Sequence, residues 1–205
     1  MDNPKIFICG AGGHAKVVLE ILEVLKYNCA GIFDDNPDLK ELLGYPVLGR
    51  WDPARVTDAA KIILAIGNNA VRKKLAETMN CQWGNAIHPS ANISTRCSID
   101  MGTVVMAGVS VNSCVSIGRH AIINTNASVD HDCKLANYVH ISPNAALAGN
   151  VTVGEGTHIG IGSSIKQGVK IGSWSVIGAG TVVTGDVPDN VVIVGNPGRI
   201  LKEIE

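Results

Sequence analysis

The chain has 205 residues, 46% of them hydrophobic, with 17 Lys and Arg against 18 Asp and Glu and a formal net charge of -1 at pH 7. Without a basic field or a block of like charges, neither nucleic acid nor an anionic membrane surface is expected as a partner. No run reaches the ~18 apolar residues of a membrane span, MDNPKIFICG lacks a signal peptide's basic start, and six cysteines without a C-x-x-C pair fit reduced thiols, so a cytoplasmic location is expected.

From the N-terminus, KIFICG reads as a short buried strand, and GAGGHAKVVLEILEVL as a loop and helix with Val18, Ile21, Leu22 and Leu25 at helical spacing. AGIFDD is a second strand ending in two acids, and KIILAIGNN is a third, followed by the helical AVRKKLAETMN. Strands alternating with helices imply a Rossmann-like parallel α/β unit over residues 1–82. Gly10, Gly12 and Ala15 fit G-x-G-x-x-A between strand and helix, where backbone N–H groups at a helix N-terminus hold phosphate. Asp34 and Asp35 follow about 20 residues on, where an acid commonly meets a ribose hydroxyl. Alone, this suggests NAD. With only three strands, roughly one mononucleotide half of the doubly wound fold, a nucleotide-sugar is the more economical ligand.

Residues 83–205 carry a repeat of six. Every sixth residue from Ile87 to Val183 is aliphatic, seventeen in succession, and two residues before each hit the side chain is usually small or β-branched, as at Ala121, Ala127, Cys133 and Ala145. A strand's period of two puts both on one inward face. The following residue, often Gly, is expected to turn a corner. Three strands and three corners make an 18-residue triangular coil, and seventeen hexads make between five and six coils of a parallel β-helix.

Against that register, His131 in NTNASVDHDCKL sits two residues after the inward Val129, so it belongs to a corner and points outward between Asp130 and Asp132. An imidazole with an ordinary pKa near ~6.5 is suited to take a proton from an attacking nucleophile at neutral pH. A carboxylate within reach fixes its tautomer and stabilises the imidazolium. Asp132 is favoured for that role, with Asp130 as an alternative or as a substrate contact. Cys133 occupies an inward slot, which argues against a covalent cysteine intermediate. His140 and His158 are one coil apart, outward and stacked.

The hexads, GAGGHAKVV, FDD, AIGNN, NAIHPSA and the run Asn124, Thr125, Asp130, His131, Asp132, Cys133 together resemble, over essentially the whole chain, the hexapeptide-repeat sugar acetyltransferases. The branch is that of the sialic acid O-acetyltransferase and of the N-acetyltransferases of nucleotide-linked 4-amino-4,6-dideoxy sugars. The resemblance implies a left-handed β-helix, homotrimeric assembly and direct acetyl transfer from acetyl-CoA without a metal. It also implies a bacterial surface-glycan sugar as acceptor, with UDP the first expectation for its nucleotide and GDP or dTDP open. His131 becomes the general base, with Asp132, Asp130 and Asn124 in the catalytic set. Gly12, Gly13, His14, Asp34, Asp35 and Asn68 fall near the nucleotide-sugar. Gly149 would offer its N–H to the thioester carbonyl, with His140 near the acetyl end, Gly160 and Ile161 beside the pantetheine arm, and Arg199, in the closing VGNPGRI, near a CoA phosphate. Sugar O-acetylation is the alternative within the class; a noncatalytic nucleotide-sugar-binding protein and a zinc hydrolyase are the alternatives outside it.

Overall fold

A computed structural model describes residues 5–204; the opening residues MDNP, part of the stretch read for a signal peptide, lie outside the described residues. Strands Ile6–Cys9, Cys29–Phe33 and Lys61–Leu64 form the expected parallel sheet, with Ile6–Cys9 in the centre. A fourth strand, Gln82–Trp83, extends it beside Lys61–Leu64. The strands are apolar on both sides because both faces are covered. Ile6, Ile8, Ile32 and Ile63 share a core with helix α1 (Gly13–Val24), while Phe7, Cys9, Phe33, Ile62 and Leu64 face Leu75, Ala76 and Met79 of and beside α2 (Asn69–Thr78).

The hexads form a parallel β-helix whose strands pair with those 18 residues on, as Val104 with Ile122 and Ile122 with His140. All hexad positions from Val105 to Val183 are buried in one continuous core, and Ile87, Ile93 and Ile99 of the first coil pack against its end. Inward hydroxyls are satisfied by the next coil: Thr157 Oγ1 donates to the Gly172 carbonyl at 2.6 Å and Ser163 Oγ to that of Gly178 at 2.8 Å. The stack runs further than the hexads because Val191–Val194 joins the first face in a coil shortened to 16 residues, pairing Val192 with Val176. Arg199–Glu203 then returns antiparallel along it.

The corners differ from the sequence expectation. Left-handed backbone falls three residues after every hit from Ile99 to Ile177, as at Asn126 (φ 57°), Asp132 (φ 60°) and Asn144 (φ 57°). The glycine immediately after a hit serves coil spacing instead: a Cβ on Gly160 would lie 2.5 Å from the Ile177 carbonyl oxygen.

One face of the β-helix is covered. Its outward residues Ala86, Val104 and Ile122 are buried with Ala15, Val18, Leu19 and Leu22 of α1, so the N-terminal unit and the first coils share a core. Helix α2 adds a polar strut. Arg72, 1% exposed, donates to the carbonyls of Ile66 (2.9 Å), His120 (2.8 Å) and Tyr138 (2.9 Å) and to Asn69 Oδ1 (2.9 Å). Beside it, Lys73 Nζ pairs with Glu155 at 2.6 Å. No described helix is long and apolar enough to cross a membrane.

Candidate active site

At the corner between the second and third faces, the Asp132 Oδ2 lies 2.8 Å from His131 Nδ1. A carboxylate only accepts, so Nδ1 carries the proton and Nε2 presents its lone pair. Asp130 Oδ1 accepts from the His131 backbone N–H at 2.8 Å and from Asn112 Nδ2 at 2.7 Å. The bond to Asp132, reinforced by Asp130, raises the His131 pKa above its ordinary 6.5. Asp132 has a left-handed φ of 60°, and the ring contact is with Asp132, the acid favoured in the sequence reading, rather than with Asp130.

Gly149 is stacked one coil beyond His131. A Cβ there would lie 2.5 Å from His131 Cε1 and 2.6 Å from Nε2, so the imidazole occupies the space any larger residue would fill. The Gly149 N–H donates to no group among the described residues, while its carbonyl accepts from Gly168 at 3.0 Å. Asp130, His131, Gly149, Asn150 and Gln167 line one cleft. Cys133 lies inside the coil, its thiol bonded to the Ala148 carbonyl at 3.2 Å and pushed up by burial.

The remaining candidates lie elsewhere on the chain, on the N-terminal unit and along the first face. Gly10 is fixed by packing: its φ is +103° and a Cβ would sit 2.5 Å from Ile66 Cδ1. Gly12 and Gly13 are different. A Cβ on either meets nothing within 4 Å among the described residues, so the space in front of the α1 N-terminus is open; the Ala15 N–H donates to the Gly12 carbonyl at 3.0 Å, while those of Gly13 and His14 have no acceptor among the described residues. Asp34 is occupied, accepting from the Ala11 N–H at 2.7 Å and the Asn36 N–H at 2.9 Å, and so holds the glycine loop. Asp35 is exposed, with Arg50 at 3.8 Å. Both acids line a cleft with Phe33, Trp51, Val71 and Leu75. Asn68 caps α2 by accepting from Val71 N–H at 3.0 Å, a structural duty the sequence reading did not assign.

Asn124 lies with His140 rather than with His131: its Nδ2 is 3.1 Å from His140 Nε2. His140 stacks on His158 with ring centroids 4.6 Å apart, and His158 Nε2 meets Ser142 Oγ at 2.8 Å. Burial, then His158 and Arg72, push His140 down to about 3, and burial with Arg72 pushes His14 to about 4, so both rings are neutral. His140 Nδ1 and His14 Nε2 are buried without a hydrogen-bond partner among the described residues. Among the described residues, no three His, Cys, Asp or Glu are grouped to hold a metal. Gly160 has both backbone groups engaged, its N–H on Ile177 at 2.7 Å and its carbonyl receiving Ser163 at 3.2 Å. Ile161 is 52% exposed, and Arg199 lies exposed on the returning strand with its Nη1 on the Gly198 carbonyl at 2.9 Å.

Sequence reasoning missed two features. Arg72 stands beside Lys73 and Lys74, with nothing in the sequence to mark it. The covered face, by contrast, has a signal: the residue before each hit is apolar at Ala86, Val104 and Ile122, 18 residues apart, and the same ladder continues as His140 and His158.

A β-helix of hexads behind an α/β unit, carrying a carboxylate-oriented histidine over a glycine at one corner, defines a hexapeptide-repeat acyltransferase. The PglD N-terminal domain family matches residues 5–79, and the bacterial transferase hexapeptide (six repeats) family matches residues 150–185. A histidine-to-asparagine variant of perosamine N-acetyltransferase from Caulobacter crescentus, in complex with CoA and GDP-perosamine, is 42% identical with TM-score 0.92 over 97% of both chains. The acetyltransferase domain of PglB from Neisseria gonorrhoeae FA1090 is 36% identical with TM-score 0.90, over 97% of this chain and 100% of that one. UDP-N-acetylbacillosamine N-acetyltransferase of Bacillus subtilis (strain 168) is 39% identical over 113 residues, which span 50% of this chain and about half, 51%, of that relative. The chain belongs to the family of hexapeptide-repeat nucleotide amino-sugar acetyltransferases.

Proposed function

We propose that the protein transfers the acetyl group of acetyl-CoA to the 4-amino group of a nucleotide-linked 4-amino-4,6-dideoxy sugar, with His131 as general base. The observation that carries this is the imidazole seated over Gly149, its Nδ1 held by Asp132 and its Nε2 facing the cleft. Nε2 takes a proton as the amine nitrogen attacks the thioester. The Gly149 N–H stabilises the tetrahedral oxyanion. Asp132 stabilises the imidazolium, which then protonates the leaving thiolate.

The open Gly12–Gly13 loop supports a diphosphate at the α1 N-terminus. The apolar cleft walls support a base beyond it. Similarity along 97% of a chain bound to GDP-perosamine favours a GDP-sugar ahead of a UDP-sugar. His131 and the nucleotide loop occupy different sides of one chain, which supports a homotrimer in which one subunit's His131 and Gly149 corner faces its neighbour's N-terminal unit and first face. In that arrangement Ile161 and Arg199 offer an exposed apolar and cationic border to the coenzyme.

The test is to incubate the protein with acetyl-CoA and GDP- and UDP-linked 4-amino-4,6-dideoxy sugars and locate the new acetyl group by NMR. Acetyl on the 4-nitrogen is expected. Acetyl on a sugar hydroxyl would replace this reading with O-acetylation.

A further inference from the structure

The two carboxylates beside His131 have different partners. Asp132 Oδ2 is on the imidazole at 2.8 Å. Asp130 uses one oxygen only: Oδ1 accepts both from Asn112 Nδ2 of the preceding coil and from the His131 N–H, while Oδ2 has no donor among the described residues. These two donors hold the Asp130 carboxyl below its usual range, so it is ionised at neutral pH. An ionised carboxylate oxygen without a donor, half-buried beside a base, is a cation acceptor.

The coil beyond has room for that cation. At the ladder position of Asn112 and Asp130 the next coil carries Ala148, and beside it Gly149 faces His131. The imidazole takes the space over Gly149, while the short Ala148 leaves the side of Asp130 open, and Asp130 and Ala148 line both the His131 cleft and the groove along the second face. Lys166, one coil further, is the next charge on this ladder.

We propose that Asp130, clamped by Asn112, seats the acceptor's ammonium group and so makes the site select an amine over a hydroxyl. This rests on the N-acetyltransferase reading above. The acceptor enters as R–NH3⁺. One proton passes through His131 Nε2 to solvent, the N–C bond forms as the C–S bond breaks, and the second proton passes from nitrogen through His131 to the thiolate. The products are the amide, the CoA thiol and one released proton. Asn112 is a positioning residue, acting through Asp130.

The experiment compares wild type, Asp130→Asn, Asn112→Ala and the double variant, measuring kcat and KM for the amino sugar. It also measures Ki for the same nucleotide-sugar bearing a 4-hydroxyl. Loss of a charge-assisted contact predicts a KM for the amine raised about 10- to 100-fold in Asp130→Asn, with the Ki of the hydroxyl analogue and the KM of acetyl-CoA within about 2-fold. Asn112→Ala shifts the amine KM less, and adds nothing once Asp130 is Asn, because both act on one contact. If the hydroxyl analogue weakens as much as the amine, or if the amine KM is unmoved in an active Asp130→Asn enzyme, the inference is overturned while the acetyltransferase reading stands. A wild-type enzyme inert on every amino sugar overturns both.

Discussion

At the scale of single residues, function turns on what each side chain leaves unused. Asp34 uses one carboxylate oxygen on the Ala11 N–H of the glycine loop and the other on the Asn36 N–H, and Asn68 uses its Oδ1 to cap a helix, so each carries a structural duty that the motif alone does not suggest. Gly149 matters for the side chain it lacks. In Gly149→Ala the new methyl would meet His131 Cε1 at 2.5 Å, forcing the imidazole off its position; misplacement of a catalytic group costs about 10²-fold in turnover, and kcat of the folded variant checks it. Asp132→Asn tests the base through pH. A general base loses activity as pH falls through its pKa, and Asp132 is the first cause raising that of His131 above 6.5. The acid limb of kcat/KM therefore moves to lower pH in the variant, with a lower plateau, and an unmoved limb would remove Asp132 as the orienting acid.

At the scale of elements, the hexads were legible because burial imposes them: one aliphatic residue in six must face the coil interior, and a slip would expose it. That an acid lies beside His131 was legible too, since both of its neighbours at the corner are aspartates; which of the two meets the ring was not. The position of the left-handed turn was not, because Asp132, His120 and Trp174 hold it as well as Gly and Asn do. Nor was the last coil, shortened by two residues between Val183 and Val187. The α2 strut was hidden for a different reason: Arg72 binds carbonyls, and carbonyls leave no trace in sequence. Besides Asn69 Oδ1, its partners are the carbonyls of Ile66, Gly67, His120 and Tyr138, joining the N-terminal unit to two coils. Arg72→Met would leave those acceptors buried and unpaired at ~1–3 kcal/mol each. A loss of at least ~3 kcal/mol in urea unfolding is expected, and a loss below ~1 kcal/mol would show that the strut does not hold the two units together.

At the scale of the whole molecule, the junction between the N-terminal unit and the first face is where buried neutral histidines gather. His14 and His120 are pushed to about 4 and His140 to about 3, in each case first by burial. The unfolded chain binds these protons at its ordinary pKa near 6.5 and the folded chain does not, so the stability they contribute is present above pH 6.5 and lost as pH falls from there toward 4. Each contributes up to ~1.4 kcal/mol of loss per pH unit in that window. Melting temperature against pH should therefore fall steeply below pH 6.5, and His120→Phe, which removes one of these titrations, should flatten the slope. The same arrangement separates the Gly12–Gly13 loop from His131 on a single chain, so the proposed reaction calls for assembly of more than one chain. Its central claim is the base at the second corner. The direct measurement is thiol release from acetyl-CoA in the presence of a GDP- or UDP-linked 4-amino-4,6-dideoxy sugar, for wild type and His131→Ala. The account predicts acceptor-dependent release that falls about 10²- to 10⁴-fold in the variant, with melting unchanged; near-wild-type turnover in His131→Ala would contradict it.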